Sequence, residues 1–219
     1  MANINSFGQC PKPKYDFIIG SDKFRFISDI MDKNSLQAIN EYYYKDKNHV
    51  YYNYKVDIGS ARSRIIETLY LIENADPETF IPLISIHGGY ASFHPYENHY
   101  FARDKNQVYF KGFPIKNADP ETFAPLTFHY AKDNARAFFK NCEIENVDLQ
   151  TFQVKDNGGY YDFSYDKNYI YFHYQKEKID IETFVMDTSG YRCRDKNNIF
   201  HLLGTGFDGY IKKEKIKQL

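Results

Sequence analysis

The chain has 219 residues, with 28 Lys and Arg against 29 Asp and Glu for a formal net charge of −1, and it carries 21 Tyr and 19 Phe but no Trp. A chain of that length can bury a core without staples and points to one domain or one continuous repeat array. The balanced charge offers no global field to a polyanion, which argues against nucleic-acid binding, and no run approaches the ~20 apolar residues that span a bilayer.

Residues 1–29 are a lead-in, expected to form a degenerate hairpin. Residues 1–9 have no apolar stretch of signal-peptide length, and Cys10 has none before it. The expected location is the cytoplasm, with the cell envelope as the alternative if an export signal has been removed. The three cysteines, Cys10, Cys142 and Cys193, show no short paired spacing of the kind a zinc site or redox dithiol needs, and their odd number argues against a full disulfide framework. Cys142 and Cys193 stand at strand-like positions, where a thiol packs inertly.

From residue 30 to residue 203 one phrase recurs. It stands as Asp46-Lys47-Asn48 with Val50-Tyr51-Tyr52, Asp104-Lys105-Asn106 with Val108-Tyr109-Phe110, and Asp166-Lys167-Asn168 with Ile170-Tyr171-Phe172. Asp195-Lys196-Asn197 with Ile199-Phe200 is a fourth copy, and Asp133-Asn134-Ala135 with Ala137-Phe138-Phe139 a fifth that has lost the Lys-Asn pair. An aromatic residue shortly before each Asp (Tyr43, Phe101, Tyr130, Phe163, Tyr191) belongs to an incoming strand. Asp accepts hydrogen bonds from the backbone just after it and Asn tolerates the left-handed conformation. Asp46, Asn48, Asp104, Asn106, Asp166, Asn168, Asp195 and Asn197 are therefore expected to build tight hairpin turns, and the apolar-aromatic triplet is the returning strand.

Lys111-Gly112 and Lys140-Asn141 mark a second turn, leading to a third strand with Ile115 or Ile144. A second phrase follows: Asp76-Pro77-Glu78-Thr79-Phe80, Asp119-Pro120-Glu121-Thr122-Phe123, Asp148-Leu149-Gln150-Thr151-Phe152 and Asp180-Ile181-Glu182-Thr183-Phe184, with a worn copy from Asp32 to Leu36. Asp caps, Pro suits the first helical position and Glu favours the positive end of the dipole, so the phrase predicts one helical turn. Phe80, Phe123, Phe152 and Phe184 are expected in the core. The fold class expected is mainly β: tandem degenerate repeats of about 30 residues, each a short antiparallel meander with a one-turn helix. Such a unit cannot bury its own apolar face, so the units must stack, here into one elongated domain.

The period breaks at insertions near 57–68 and 84–99. Insertions in repeat arrays emerge as loops on one face, and that face often binds; the bland alternative is an idle loop. Arg62, Arg64, Tyr90, His94 and Tyr96 are the types suited to anchor a protein partner. Residues 204–219, with Lys212, Lys213, Lys215 and Lys217, form a C-terminal strand or a basic tail.

The paired phrases over roughly residues 30–203 resemble the DKNYY family of bacterial repeat proteins, whose motif stands here as Asp46-Lys47-Asn48 with Tyr51-Tyr52. The resemblance implies a repeat fold with no established catalytic residues. Some members look like envelope proteins and others like immunity proteins that neutralise a toxin. The departures at residues 133–137 and in the insertions leave no uniform ligand site in every unit.

Asp-x-Asn invites a calcium reading, but the third oxygen, the glycine and the distant Glu of a calcium loop are missing. His87, His94 and His99 match no ligand spacing and stand beside no orienting carboxylate. Phosphate loops, nucleophile elbows and metalloprotease helices are absent from the sequence. In the Tyr-rich strands alternate residues face opposite sides, so either one row fills the core while the other meets solvent or a neighbour, or stacked units bury both rows. The function expected is a non-enzymatic, protein-binding module without cofactor or metal: a cytoplasmic immunity protein that occludes a cognate bacterial toxin. The alternative is an envelope or surface module binding carbohydrate or peptide along an aromatic face.

Overall fold

A computed structural model describes residues 30–57, 65–85, 100–155, 163–173, 175–187, 191–203 and 210–216. Among these residues the chain is nearly all β and forms five four-stranded antiparallel meanders. The first comprises β1 (Gln37–Ala38), β2 (Tyr43–Lys45), β3 (Val50–Asp57) and β4 (Ile65–Leu71), and the second β5 (Ile81–Leu83), β6 (Phe101–Arg103), β7 (Val108–Phe110) and β8 (Phe113–Pro114). The third holds β9 (Ala124–Pro125), β10 (Tyr130–Lys132), β11 (Ala137–Phe139) and β12 (Cys142–Ile144). The fourth holds β13 (Gln153–Lys155), β14 (Phe163–Tyr165), β15 (Tyr169–Phe172) and β16 (Gln175–Lys178), and the fifth β17 (Val185–Met186), β18 (Arg192–Arg194), β19 (Asn198–Leu203) and β20 (Tyr210–Lys215). The first two meanders lie in one compact unit and the last three in another.

The repeat is thus a meander of four strands where the sequence reading expects three. The residues just after the second phrase form a further strand: Ile81 lies opposite Arg103 and Gln153 opposite Tyr165. The expected helical turn is a single 3₁₀ turn at Ile181–Thr183, capped by Asp180, whose carboxylate accepts from the Thr183 N–H. In two other copies an i to i+3 bond closes the turn, from Thr122 N–H to Asp119 C=O and from Thr151 N–H to Asp148 C=O. Four residues leave no room for the i to i+4 bond of an α-helix to propagate, so the turn stays tight.

The Asp-Lys-Asn turn forms as expected, but not through a left-handed Asn. In all five copies the Asp N–H donates to the carbonyl three residues on, at 2.9–3.0 Å. The residues at positive φ stand elsewhere: Lys111, Gly112, Lys140 and His173 after the returning strand, and Asn74, Asn117 and Asn146 two residues before the second phrase. The insertion near 57–68 is also not simply a loop. Its flanks extend the β3–β4 hairpin, in register from Tyr51 opposite Leu71 to Asp57 opposite Ile65. The expected lead-in, residues 1–29, falls outside the described residues, and the C-terminal segment contributes an edge strand, β20.

Burial follows from stacking. Val50 and Tyr52 pack in one cluster with Tyr109 of the next meander, and Ala137 and Phe139 with Tyr171. Ile170 and Phe172 do the same with Phe200. Within each of these pairs one row of the earlier returning strand faces the following meander, and the middle aromatic of the later strand (Tyr109, Tyr171 or Phe200) faces the preceding one. Both rows are consumed by the core: Val108, Tyr109 and Phe110 are all buried, as are Ile170, Tyr171 and Phe172. The solvent-facing row of motif tyrosines is not found in these strands. Phe80, Phe123 and Phe152 are buried as expected, with Phe80 5.2 Å from Tyr43 and 5.7 Å from Tyr109 between ring centres. Phe184 is only half-buried.

Candidate functional site

The motif residues converge on one polar assembly, repeated along the chain. Each motif Asp is buried. Its Oδ1 accepts from the backbone N–H groups two and three residues on, at 2.6–2.8 Å, in all five copies: Asn48 and His49, Asn106 and Gln107, Ala135 and Arg136, Asn168 and Tyr169, Asn197 and Asn198. In four copies its Oδ2 points across the meander to the preceding second phrase. There it accepts from the backbone of Asp32, Asp76, Asp148 and Asp180 at 2.9–3.0 Å, for Asp46, Asp104, Asp166 and Asp195 in turn.

Two further contacts fasten the same pair of phrases. The motif Lys N–H donates to the hydroxyl of Ser35, Thr79, Thr151 or Thr183 at 2.9–3.1 Å. Its Nζ pairs with the second-phrase carboxylate: Lys47 with Asp32 at 3.0 Å, Lys105 with Asp76 at 2.6 Å, Lys167 with Asp148 at 2.5 Å and Lys196 with Asp180 at 2.7 Å. The Lys side chains hold Asp32, Asp76 and Asp180 below the ordinary carboxylate value, and Asp148 likewise.

The phenol five residues after the Asp completes the assembly. Tyr51, Tyr109 and Tyr171 donate to Oδ2 at 2.7, 2.9 and 2.8 Å. Burial and the neighbouring carboxylate push each phenol well above its ordinary value, so it stays a donor at any physiological pH. Where Phe replaces Tyr, another donor approaches. The Asn198 amide reaches Asp195 Oδ2 at 3.4 Å beside Phe200, and the Arg136 guanidinium stands 4.0 Å from Asp133 Oδ2 beside Phe138. Burial works against the Asp46 carboxylate, but the bonds from Tyr51 and from the backbone of Asn48, Asp32 and His49 outweigh it and hold the group at about 2.

An assembly whose carboxylates, backbone N–H groups, hydroxyls and lysines bond to one another in this way fixes the turns and fastens neighbouring phrases. A profile of the DKNYY family matches residues 101–219. The chain belongs to the DKNYY family. The matched part of this DKNYY protein begins at the incoming strand of the second meander, whereas the repeat itself starts earlier, with Asp32 and Asp46 in the same assembly as the matched copies. No curated protein and no solved structure matches the chain.

Arg62, Arg64, Tyr90, His94 and Tyr96, and the trio His87, His94 and His99, lie outside the described residues. Among the described residues no group of three or more His, Cys, Asp or Glu is placed to hold a metal ion, and no helix is long and apolar enough to cross a membrane. Cys193 is a buried free thiol that burial, with Asp187 and Asp195 nearby, pushes up to about 12, which makes it a packing residue. Cys142 is disulfide-bonded, a correction to its reading as an inert thiol. Sequence reasoning missed the lysine and threonine roles in the assembly. The signal was the co-occurrence of the two phrases, but the partner of Asp46, Asp104, Asp166 and Asp195 is the phrase before it, not the one after.

Proposed function

We propose that this DKNYY protein is a non-enzymatic protein-binding scaffold, acting as an immunity protein that occludes a cognate bacterial toxin. One observation carries the reading: the motif residues are spent on turns and packing, with both rows of the first four returning strands buried, so recognition falls to surface that does not repeat. The test is co-purification of the untagged chain with the product of the gene beside its own. A stoichiometric complex that silences the activity of that product is the expected result; free passage of both proteins, with activity intact, would end the immunity reading.

An envelope or surface module is the second reading. The disulfide at Cys142 favours it, since such bonds persist in oxidising compartments. Its version with a repeated aromatic binding face loses support, because the motif aromatics are inside. Thiol alkylation of the protein taken directly from cells separates the two locations: a Cys142 that resists alkylation until reduced fits the envelope, and a freely alkylated Cys142 fits the cytoplasm.

A further inference from the structure

The fifth meander departs from the other four at one face. In those four the residue four positions after the motif Asp (Val50, Val108, Ala137, Ile170) and the aromatic two residues later are buried. The equivalent pair in β19 is Ile199, half-buried, and His201, whose imidazole is partly exposed. Cys193, Phe200, Leu202 and Ile211 pack the opposite face of this sheet against Phe163, Ile170 and Phe172. Among the described residues no meander is stacked on the outer face.

Register defines what that face carries. Val185, Arg194, Ile199 and Glu214 form one row across the four strands, Asp187, Arg192, His201 and Lys212 a second, and Leu203 with Tyr210 a third, which leaves the face three fixed cations against two carboxylates. A face left to solvent alone is best served by Lys and Glu. This face instead exposes Val185 (52%), Tyr210 (47%), Arg192 and Arg194. Arg and Tyr are enriched in interfaces, Lys and Glu depleted. Its charges are also unequal in engagement. Lys212 is paired with Glu214 at 2.8 Å, and His201 approaches the same carboxylate at 3.5 Å. Arg192 and Arg194, two residues apart on one strand and side by side on one face, have no ion-pair partner among the described residues.

We propose that this outer face of the fifth meander is a docking surface for an acidic protein, whose carboxylates pair with Arg192 and Arg194 around an apolar centre of Val185, Ile199 and Tyr210. The proposal rests on the protein-binding reading and names its surface. Planar guanidinium forks take carboxylates bidentately, and desolvation under a partner strengthens those bonds. A second copy of the chain fits less well: His201 stands where the other meanders use a stacking aromatic, and self-association would bring the arginines of both copies together.

Two arms test it on the full chain. In the first, isotope-labelled protein is titrated with the acetylated peptide (Glu-Val)4 and, as control, (Lys-Val)4, and amide shifts are followed by NMR. Localised shifts at Val185, Arg192, Arg194 and Ile199 with the acidic peptide only, lost in R192E/R194E at an unchanged melting midpoint, support the surface. Shifts elsewhere, no shifts, or the same shifts in the variant overturn it. R192Q/R194Q removes the charge without reversing it, should the glutamates disturb the sheet. In the second arm, the neighbouring gene product should bind R192E/R194E at least about 30-fold more weakly than wild type. Equal binding sinks the surface and leaves the immunity reading standing. A product that ignores the wild type while the peptide maps to this face removes the immunity reading and leaves the surface.

Discussion

The phenol of Tyr109 donates to Oδ2 of Asp104 at 2.9 Å, and the same oxygen accepts the backbone N–H of Asp76, 28 residues earlier in the chain. Through its other oxygen Asp104 closes its own hairpin. One buried carboxylate thus ties together the hairpin, the core aromatic and the preceding phrase. Asp104→Ala is expected to cost about 3–5 kcal/mol, because it orphans several donors in a site water does not reach. Urea denaturation checks this; a loss below about 1 kcal/mol would mean that water satisfies the orphans.

Tyr109→Phe should be much milder, about 1 kcal/mol, since it removes one donor and keeps the ring. Phe138 and Phe200 occupy the equivalent position naturally and are fully buried. A double-mutant cycle with Asp104→Asn measures the coupling directly, and a coupling near zero would contradict the contact.

Removing a second-phrase ring should cost what its burial dictates. Phe123→Ala is expected to lose about 3–5 kcal/mol, as its ring lies 5.5 Å from that of Phe101 in a closed core. Phe184→Ala, half-buried against Tyr165, should lose roughly half as much. Equal losses in matched denaturation curves would show that the fifth meander is packed as tightly as the second.

Acid should weaken the fold in a defined window. The Asp46 carboxyl is held at about 2 in the folded chain against an ordinary 3.8, so its contribution is fully present above 3.8 and is lost as pH falls from there toward 2. Asp32, Asp76, Asp148 and Asp180, also lowered, act with the same sign. Urea midpoints measured from about pH 6 to about pH 2 should fall mainly below about pH 4, less steeply in Asp46→Asn. A variant with the wild-type slope would exclude Asp46 as a linked group.

Gly112→Ala is expected to destabilise by about 1–3 kcal/mol. Gly112 sits at φ +80°, and an added Cβ would come within 3.0 Å of the Tyr52 Cβ, itself buried. Asn117→Gly, at φ 64° in the next turn, should be near neutral. Thermal melts of the pair distinguish local strain from general sensitivity of the turns.

The sequence by itself determined the turn positions, the buried second-phrase rings and the all-β class, because these depend on chemistry within a few residues: an Asp beside the N–H groups it accepts, an aromatic beside the turn that delivers it. It misplaced the left-handed residues, since Asn106 and Asn117 are equally tolerant and only the strand geometry selects Asn117. Tertiary structure alone decided which phrase each motif Asp fastens. Asp46 and Asp32 are 14 residues apart and Asp104 and Asp76 are 28 apart, yet both pairs meet at 2.9 Å, because a meander fixes the distance across its strands regardless of the loop between them. Tertiary packing likewise decided that both rows of the first four returning strands are buried while Arg192 and Arg194 stand exposed, a distinction between meanders that local sequence does not carry.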